Sequence, residues 1–312
     1  MEKAAAAAKY ALAAARGEEA ALALPLLGAI ETLFIRWLQP AFAPGDMAAL
    51  SALTGLRELD LWDTVLPDPS CLTALPQLEV LRFSHAGVDP RLGDTLGELQ
   101  CLTRLHLHGV WLEGGGDGRL DAVPLVARAA SLRALSVSPE YFRDKEMVRV
   151  TDESAAVLAR CLPRLDFLGV ACSQMSSAGA CGLAGLVSLE HLALRDNGIH
   201  DAGAVALTSL TALTKLDLYF TNIGTPGVKA LACLTNLVSL DVGGNLRIDD
   251  EGAKALASMT HLTALCVSGR DFGKCGKAAL RATFGAEHAY SAFDTGMHMR
   301  WGGAEAPRPY GC

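Results

Sequence analysis

One phrase recurs along this chain at a nearly constant interval, and it restricts the fold more than any other feature. It reads Leu186-x-x-Leu189-x-x-Leu192-x-Leu194-x-x-Asn197-x-Ile199. It returns 24 residues later as Leu210-x-x-Leu213-x-x-Leu216-x-Leu218-x-x-Thr221-x-Ile223, and again as Leu234-x-x-Leu237-x-x-Leu240-x-Val242-x-x-Asn245. A fourth copy runs Met259-x-x-Leu262-x-x-Leu265-x-Val267. Between copies lies a second recurring piece, Gly203-Ala-Val-Ala-Leu207, answered by Gly227-Val-Lys-Ala-Leu231 and Gly252-Ala-Lys-Ala-Leu256. A single such unit cannot bury its apolar face; stacked units bury one continuous core, and this makes a fixed period a statement about architecture.

The spacing has a physical reading. The Leu-x-Leu pair predicts a short strand whose alternate side chains point into the stack while those between point out. The polar column, Ser173, Asn197, Thr221 and Asn245, suits a sharp turn in which a side-chain amide or hydroxyl satisfies buried peptide groups. The Gly-led Ala/Leu segments predict short helices opposite the strands. With the middle strand leucine as marker, the series is Leu59, Leu81, Leu105, Leu135, Leu168, Leu192, Leu216, Leu240 and Leu265, in steps of 22, 24, 30, 33, 24, 24, 24 and 25 residues. A degenerate copy precedes them, with Leu27, Ile30, Leu33 and Ile35 in the apolar positions and no polar turn residue.

These signals divide the chain into an Ala-rich segment over 1–26, with helix expected over Ala4–Arg16, a repeat domain over 27–284, and a non-repeat tail over 285–312 that would cap the open end. The two long steps gain residues around 113–118 and 141–152, in adjacent repeats with Val110 and Glu140 in the polar-turn column. Stacking would place both insertions side by side.

Composition bears on environment and partners. Hydrophobic residues make up 51% of the 312 and aromatics only 6%, so Leu, Ala and Val must build the core. Nine cysteines without a Cys-x-x-Cys pair indicate free thiols in a reducing compartment. Cys101, Cys161 and Cys233 are expected in inward or near-inward columns as small apolar groups. The charge of −7, spread along the chain, argues against nucleic acid. The longest apolar run, 20–30, is too short to span a membrane, and early acids such as Glu2, Glu18 and Glu19 argue against a signal peptide. The expected location is cytoplasmic.

No phosphate-binding loop, zinc-protease helix or nucleophile elbow is present. His85, His106 and His108 fall close together in the repeat register, yet no fourth ligand is evident and outward polar strand residues are ordinarily solvated. Cys172 has no base and orienting partner supplied by the repeat. The expectation is therefore a non-enzyme with no metal, cofactor or small-molecule substrate. A protein partner is expected instead, because the outward strand positions carry large, aromatic and charged residues of the kinds enriched at binding hot spots. These are Asp60, Trp62, Arg82, His85, His106, His108, Phe167, His191, Arg195, Lys215, Asp217, Tyr219 and Asp241.

The strand motifs, with Gly179-Ala180, Gly203-Ala-Val-Ala-Leu207 and Gly252-Ala-Lys-Ala-Leu256-Ala257, resemble the GALA-type leucine-rich repeat of plant, green-algal and bacterial F-box proteins. The match is strong over 155–284 and looser over 27–154. The resemblance implies an α/β fold, a right-handed solenoid or horseshoe with an inner parallel β-sheet and short outer helices, used for protein recognition. It also implies two finer roles, substrate recognition in an SCF-type ubiquitin ligase or an axonemal or cytoskeletal adaptor. The chain departs from the pattern in having no legible F-box before the repeats, and Asn, Thr or Ser where the cysteine-containing subclass has Cys.

Overall fold

The computed structural model describes residues 29–36, 50–113, 121–139, 147–268, 273–285, 289–291 and 297–301. The Ala-rich segment and the two insertion tips at 114–120 and 140–146 lie outside them. The chain forms two compact units that meet between Arg149 and Val150.

In the first unit, five parallel strands follow one another: β1 (Thr32–Arg36), β2 (Glu58–Trp62), β4 (Val80–Ser84), β6 (Arg104–His108) and β8 (Ala134–Ser138). The pairing aligns Leu33, Leu59, Leu81, Leu105 and Leu135 as one inward column, the register expected from the period, and the degenerate N-terminal copy takes its place in it. Leu59, Leu61, Leu81, Phe83, Leu105 and Leu107 are wholly buried. Helical pieces on the return path are short: a 3-10 turn at Pro69–Ala74, α1 (Leu92–Glu98) and α2 (Val123–Val126).

A second, three-stranded parallel sheet lies beside the first, from β3 (Val65–Leu66), β5 (Gly87–Val88) and β7 (Trp111–Leu112). Its cause is the turn column, which in this unit reads Thr64, Ala86 and Val110 and offers no amide. The turn backbones satisfy one another directly: Gly87 N–H donates to Thr64 O at 2.9 Å, Trp111 N–H to Ala86 O at 3.1 Å, and Val148 N–H to Val110 O at 2.7 Å. Asp121, just after the first insertion, and Arg149, near the end of the second, form a parallel bridge, so the two insertions rejoin the stack side by side.

The second unit repeats the theme more regularly, with β9 (Phe167–Val170), β10 (His191–Ala193), β11 (Lys215–Asp217), β12 (Ser239–Asp241) and β13 (Ala264–Ser268) in parallel. Leu168, Leu192, Leu216, Leu240 and Leu265 align and are at most 2% exposed. Here the polar column does what its chemistry predicts. Asn197 Oδ1 accepts from the N–H groups of Ser173 (3.1 Å) and Met175 (3.0 Å) in the preceding repeat, and its amide donates to the carbonyls of Val170, Leu194 and Arg195. Asn245 makes the same set toward Thr221 and Ile223 and toward Leu218, Val242 and Gly243.

The outer helices of this unit are α3 (Asp152–Cys161), α4 (Ser177–Leu183), α5 (His200–Ala206), α6 (Thr225–Leu231), α7 (Asp250–Ser258) and α8 (Lys274–Phe284). Helix α3 opens with a reciprocal Thr151–Ser154 capping box, so the second insertion ends before Thr151. Three aspartates link successive repeats across the helix N-termini. Asp152 Oδ1 accepts from Ser176 and Gly179 N–H, Asp201 Oδ1 from Gly224 and Gly227 N–H, and Asp250 Oδ1 from Gly273 N–H. At three positions of the glycine column this contact leaves no room for a side chain: a Cβ on Gly179, Gly227 or Gly276 would lie 2.5–2.7 Å from the carboxylate of the preceding aspartate.

Beyond α8, β14 (Ala289–Ser291) and β15 (Met297–Trp301) form an antiparallel pair, and β15 runs antiparallel to β13 along the C-terminal edge of the sheet. Among the described residues, no helix is long and apolar enough to cross a membrane.

The expectation for the cysteines is corrected. Cys101 and Cys233 are exposed and Cys161 is half-buried, because each directly precedes an inward leucine and so faces away from the core; among the described cysteines the buried one is Cys172.

Candidate binding face

The sheet side of each unit presents the outward strand positions in rows fixed by strand pairing. In the first unit one row holds Phe34, Asp60, Arg82, His106 and Ser136, and the next holds Trp62, Ser84, His108 and Ser138. His85 is not on a strand; it follows β4 in a left-handed backbone conformation (φ 51°). Its ring lies 5.0 Å from that of Trp62, so the indole is half-buried rather than openly exposed. Arg82 forms an ion pair with Glu58 (3.5 Å).

His106 and His108 stand 6.0 Å apart, and His108 Nε2 lies 3.1 Å from Ser136 Oγ. Burial, aided by neighbouring positive groups, pushes both imidazoles down to about 4. They are therefore neutral donor–acceptor groups at physiological pH. Among the described residues no three His, Cys, Asp or Glu side chains are grouped to hold a metal ion.

In the second unit the first row is Phe167, His191, Lys215, Ser239 and Ala264, and the next is Gly169, Ala193, Asp217, Asp241 and Cys266. Phe167 meets His191 edge to face at 6.4 Å, and burial beside Lys215 lowers the His191 pKa. Arg195 and Tyr219 follow their strands. The Arg195 guanidinium pairs with Asp217 at 3.1 Å and lies over the Tyr219 ring at 4.8 Å. Tyr219 N–H donates to Asp217 Oδ1. Burial, and Asp241 in register beside it, raise the Asp217 carboxyl to about 7 despite Arg195.

The thirteen outward residues thus form two clusters, one on each unit. All are partly accessible, with Lys215 the most open. Three exposed apolar residues escaped the sequence reading: Phe34 (54% exposed), Phe220 (52%) and Leu246 (63%). A signal for Phe220 was present. The fourth residue after each marker leucine is left-handed in Asp63, His85, Gly109, Cys172, Asp196, Phe220 and Gly244, and a large aromatic is out of place in that series.

Three repeats of the second unit are leucine-rich repeats: the family model described as "Leucine Rich repeat" matches residues 186–207, 209–232 and 233–257. The fold as a whole is the α/β leucine-rich-repeat type, and similar solved structures share it. The TLR13–ssRNA13 complex aligns with 17% identity and a TM-score of 0.54, over 78% of this chain and 33% of that one. An internalin from Listeria monocytogenes aligns at 19% identity with a TM-score of 0.46, over 86% and 89% of the respective chains. The ectodomain of the Arabidopsis receptor kinase HAESA, bound to an IDA peptide hormone, aligns at 18% and 0.48, over 70% and 34%. The chain thus spans about a third of the two receptor chains. No curated protein matches the sequence.

Proposed function

We propose that this chain is a non-catalytic recognition scaffold that binds a protein partner through the open face of its parallel sheets. The observation that carries this reading is the group formed by Arg195, Asp217 and Tyr219, an ion pair laid across an aromatic ring on a rigid strand frame. Preorganised Arg and Tyr side chains at partly dehydrated positions give large contact area at small entropic cost, as binding hot spots do. Trp62 against His85 offers a comparable anchor on the first unit. The solved neighbours that carry a peptide or an RNA show that this fold serves recognition in those proteins, and their ligands define the alternatives to exclude.

The test is affinity purification of the tagged chain from its own cells, followed by mass spectrometry and titration of the recovered partner. Tyr219→Ala and Arg195→Ala are expected to weaken that partner's binding at least tenfold while leaving the melting temperature within a few degrees. Equal binding by folded variants would refute the assignment. The partner's identity separates the finer roles. An Skp1-like adaptor and a cullin would indicate ubiquitin-ligase substrate recognition, tubulin or axonemal proteins a cytoskeletal adaptor, and RNA would overturn the protein-partner reading.

A further inference from the structure

Two carboxylates stand side by side on the face of the second unit. Asp217 and Asp241 are register partners on β11 and β12, on strands about 4.8 Å apart. Each takes the same pose over its own turn: Asp217 Oδ1 accepts from Tyr219 N–H at 3.0 Å, and Asp241 Oδ1 from Gly243 N–H at 2.8 Å. The shared pose holds the two carboxyl groups parallel. Arg195, from the turn of the preceding repeat, brings its Nε to 3.1 Å from Asp217 Oδ2 and lays its guanidinium 4.8 Å over the Tyr219 ring. One repeat on, Tyr219 occupies the place equivalent to Arg195. A cation therefore precedes the first carboxylate and an aromatic ring the second.

The other titratable groups around Asp217 come from each neighbouring element. Asp196 lies in the turn after β10 and acts on Asp217 with Asp241 and Arg195. His191 on β10 lies near Lys215, an exposed cation two residues before Asp217 on its own strand. Cys266 on β13 continues the row beyond Asp241, and Arg247 points to Asp201 at 4.0 Å. One of two carboxyl groups held this close in a half-buried setting takes up a proton more readily than either would alone. Burial first, and Asp241 second, raise the Asp217 carboxyl to about 7 against the pull of Arg195. Charged, Asp217 gives Arg195 an ion partner that pins it on the ring. Neutral, Asp217 removes that ion pair, and the long Arg side chain regains rotamer freedom that a complex would have to take back.

We propose that Asp217 and Asp241 form a proton-sensitive clasp on Arg195, which is pinned over Tyr219 when the clasp is charged and released when it takes up a proton, so that recognition through this face weakens as the pH falls below neutral. This rests on the reading of Arg195, Asp217 and Tyr219 as the partner-binding anchor and names its regulation.

The test is a nuclear magnetic resonance titration of the full chain from pH 5 to 9. It follows the Asp217 carboxyl carbon, identified by its loss in Asp217→Asn, and the Arg195 Nε–H, identified by its loss in Arg195→Ala. Both signals are expected to move together with one midpoint near neutrality. Asp217→Asn should leave the Arg195 signal flat across the range, and Asp241→Asn should move the midpoint to lower pH. An Asp217 midpoint below 5, or an Arg195 signal that stays still while Asp217 titrates, overturns the clasp without any partner in hand. The partner recovered by affinity purification should then bind wild type roughly threefold more weakly at pH 6 than at pH 8, and Asp217→Asn at both values as weakly as wild type at pH 6. Equal wild-type affinity at the two pH values overturns the regulatory claim even where Arg195 moves. Unimpaired binding by folded Arg195→Ala and Tyr219→Ala refutes the anchor itself, and the regulation with it, whatever the two signals show.

Discussion

Replacing Asn197 by leucine tests the polar turn column most directly. The side chain is 4% exposed and accepts from two backbone N–H groups of the preceding repeat while donating to three carbonyls. Leucine is similar in size but leaves all five groups without that partner. The two buried N–H donors, on Ser173 and Met175, cost about 1–3 kcal/mol each when unpaired, and the carbonyls add less because each has a second lone pair. The expected loss is on the order of 4 kcal/mol. Asn197→Thr should cost less, because Thr221 already fills this column and donates to Leu218 O at 2.7 Å. The control is Asn236→Leu, an exposed amide that donates to Thr211 O, expected to change stability by no more than about 0.5 kcal/mol. Urea denaturation followed by circular dichroism gives the overall change. Hydrogen exchange at the Ser173 and Met175 amides gives the local one, since stability in a repeat array varies along the stack. If Asn197→Leu costs under about 1 kcal/mol, or leaves those two amides as protected as in wild type, the column is not the connector described here.

Further outcomes are expected. Leu216→Asp, which puts a carboxylate in a position 2% exposed, should cost several kcal/mol, while exposed Lys215→Asp beside it should be nearly neutral; equal melting shifts would show that the strand register is wrong. Gly227→Ala should lose about 1–3 kcal/mol in thermal denaturation, because its Cβ would meet Asp201 Oδ1 at 2.7 Å, whereas Gly185→Ala, with its nearest neighbour 3.9 Å away, should be tolerated. Asp217 titrates near 7 in the folded chain and about 3.9 unfolded. The native state thus holds the extra proton between those values, and Asp217 lowers stability as pH rises from about 4 to 7. The stability of Asp217→Asn relative to wild type should therefore increase over that window and level off above it. With the wild-type side chain 27% exposed, the expected span is on the order of 2 kcal/mol, and a flat difference between pH 5 and 8 would contradict the assigned burial.

Much of this protein is legible in one dimension because its interactions recur at one interval. A leucine that points inward in one repeat meets its counterpart a period away, so the period alone determined the strand register, the buried columns and the outward positions from Asp60 to Asp241. The polar turn was readable for the same reason: an amide at 197 and again at 245 serves the same peptide groups in each copy. Contacts between unlike columns were decided only in the tertiary structure. Nothing local in Gly227 announces that Asp201 of the preceding repeat needs its space, and the lack of an amide at Ala86 and Val110 does not by itself reveal a second backbone ladder. Cys101, Cys161 and Cys233, each one position before an inward leucine, follow the same rule, since a shift of one position along the coil turned them from the core toward solvent. Phe220 is the sharpest instance. Its place in the period is ordinary, and only the left-handed backbone and the Gly244 beneath its ring leave an aromatic half in solvent.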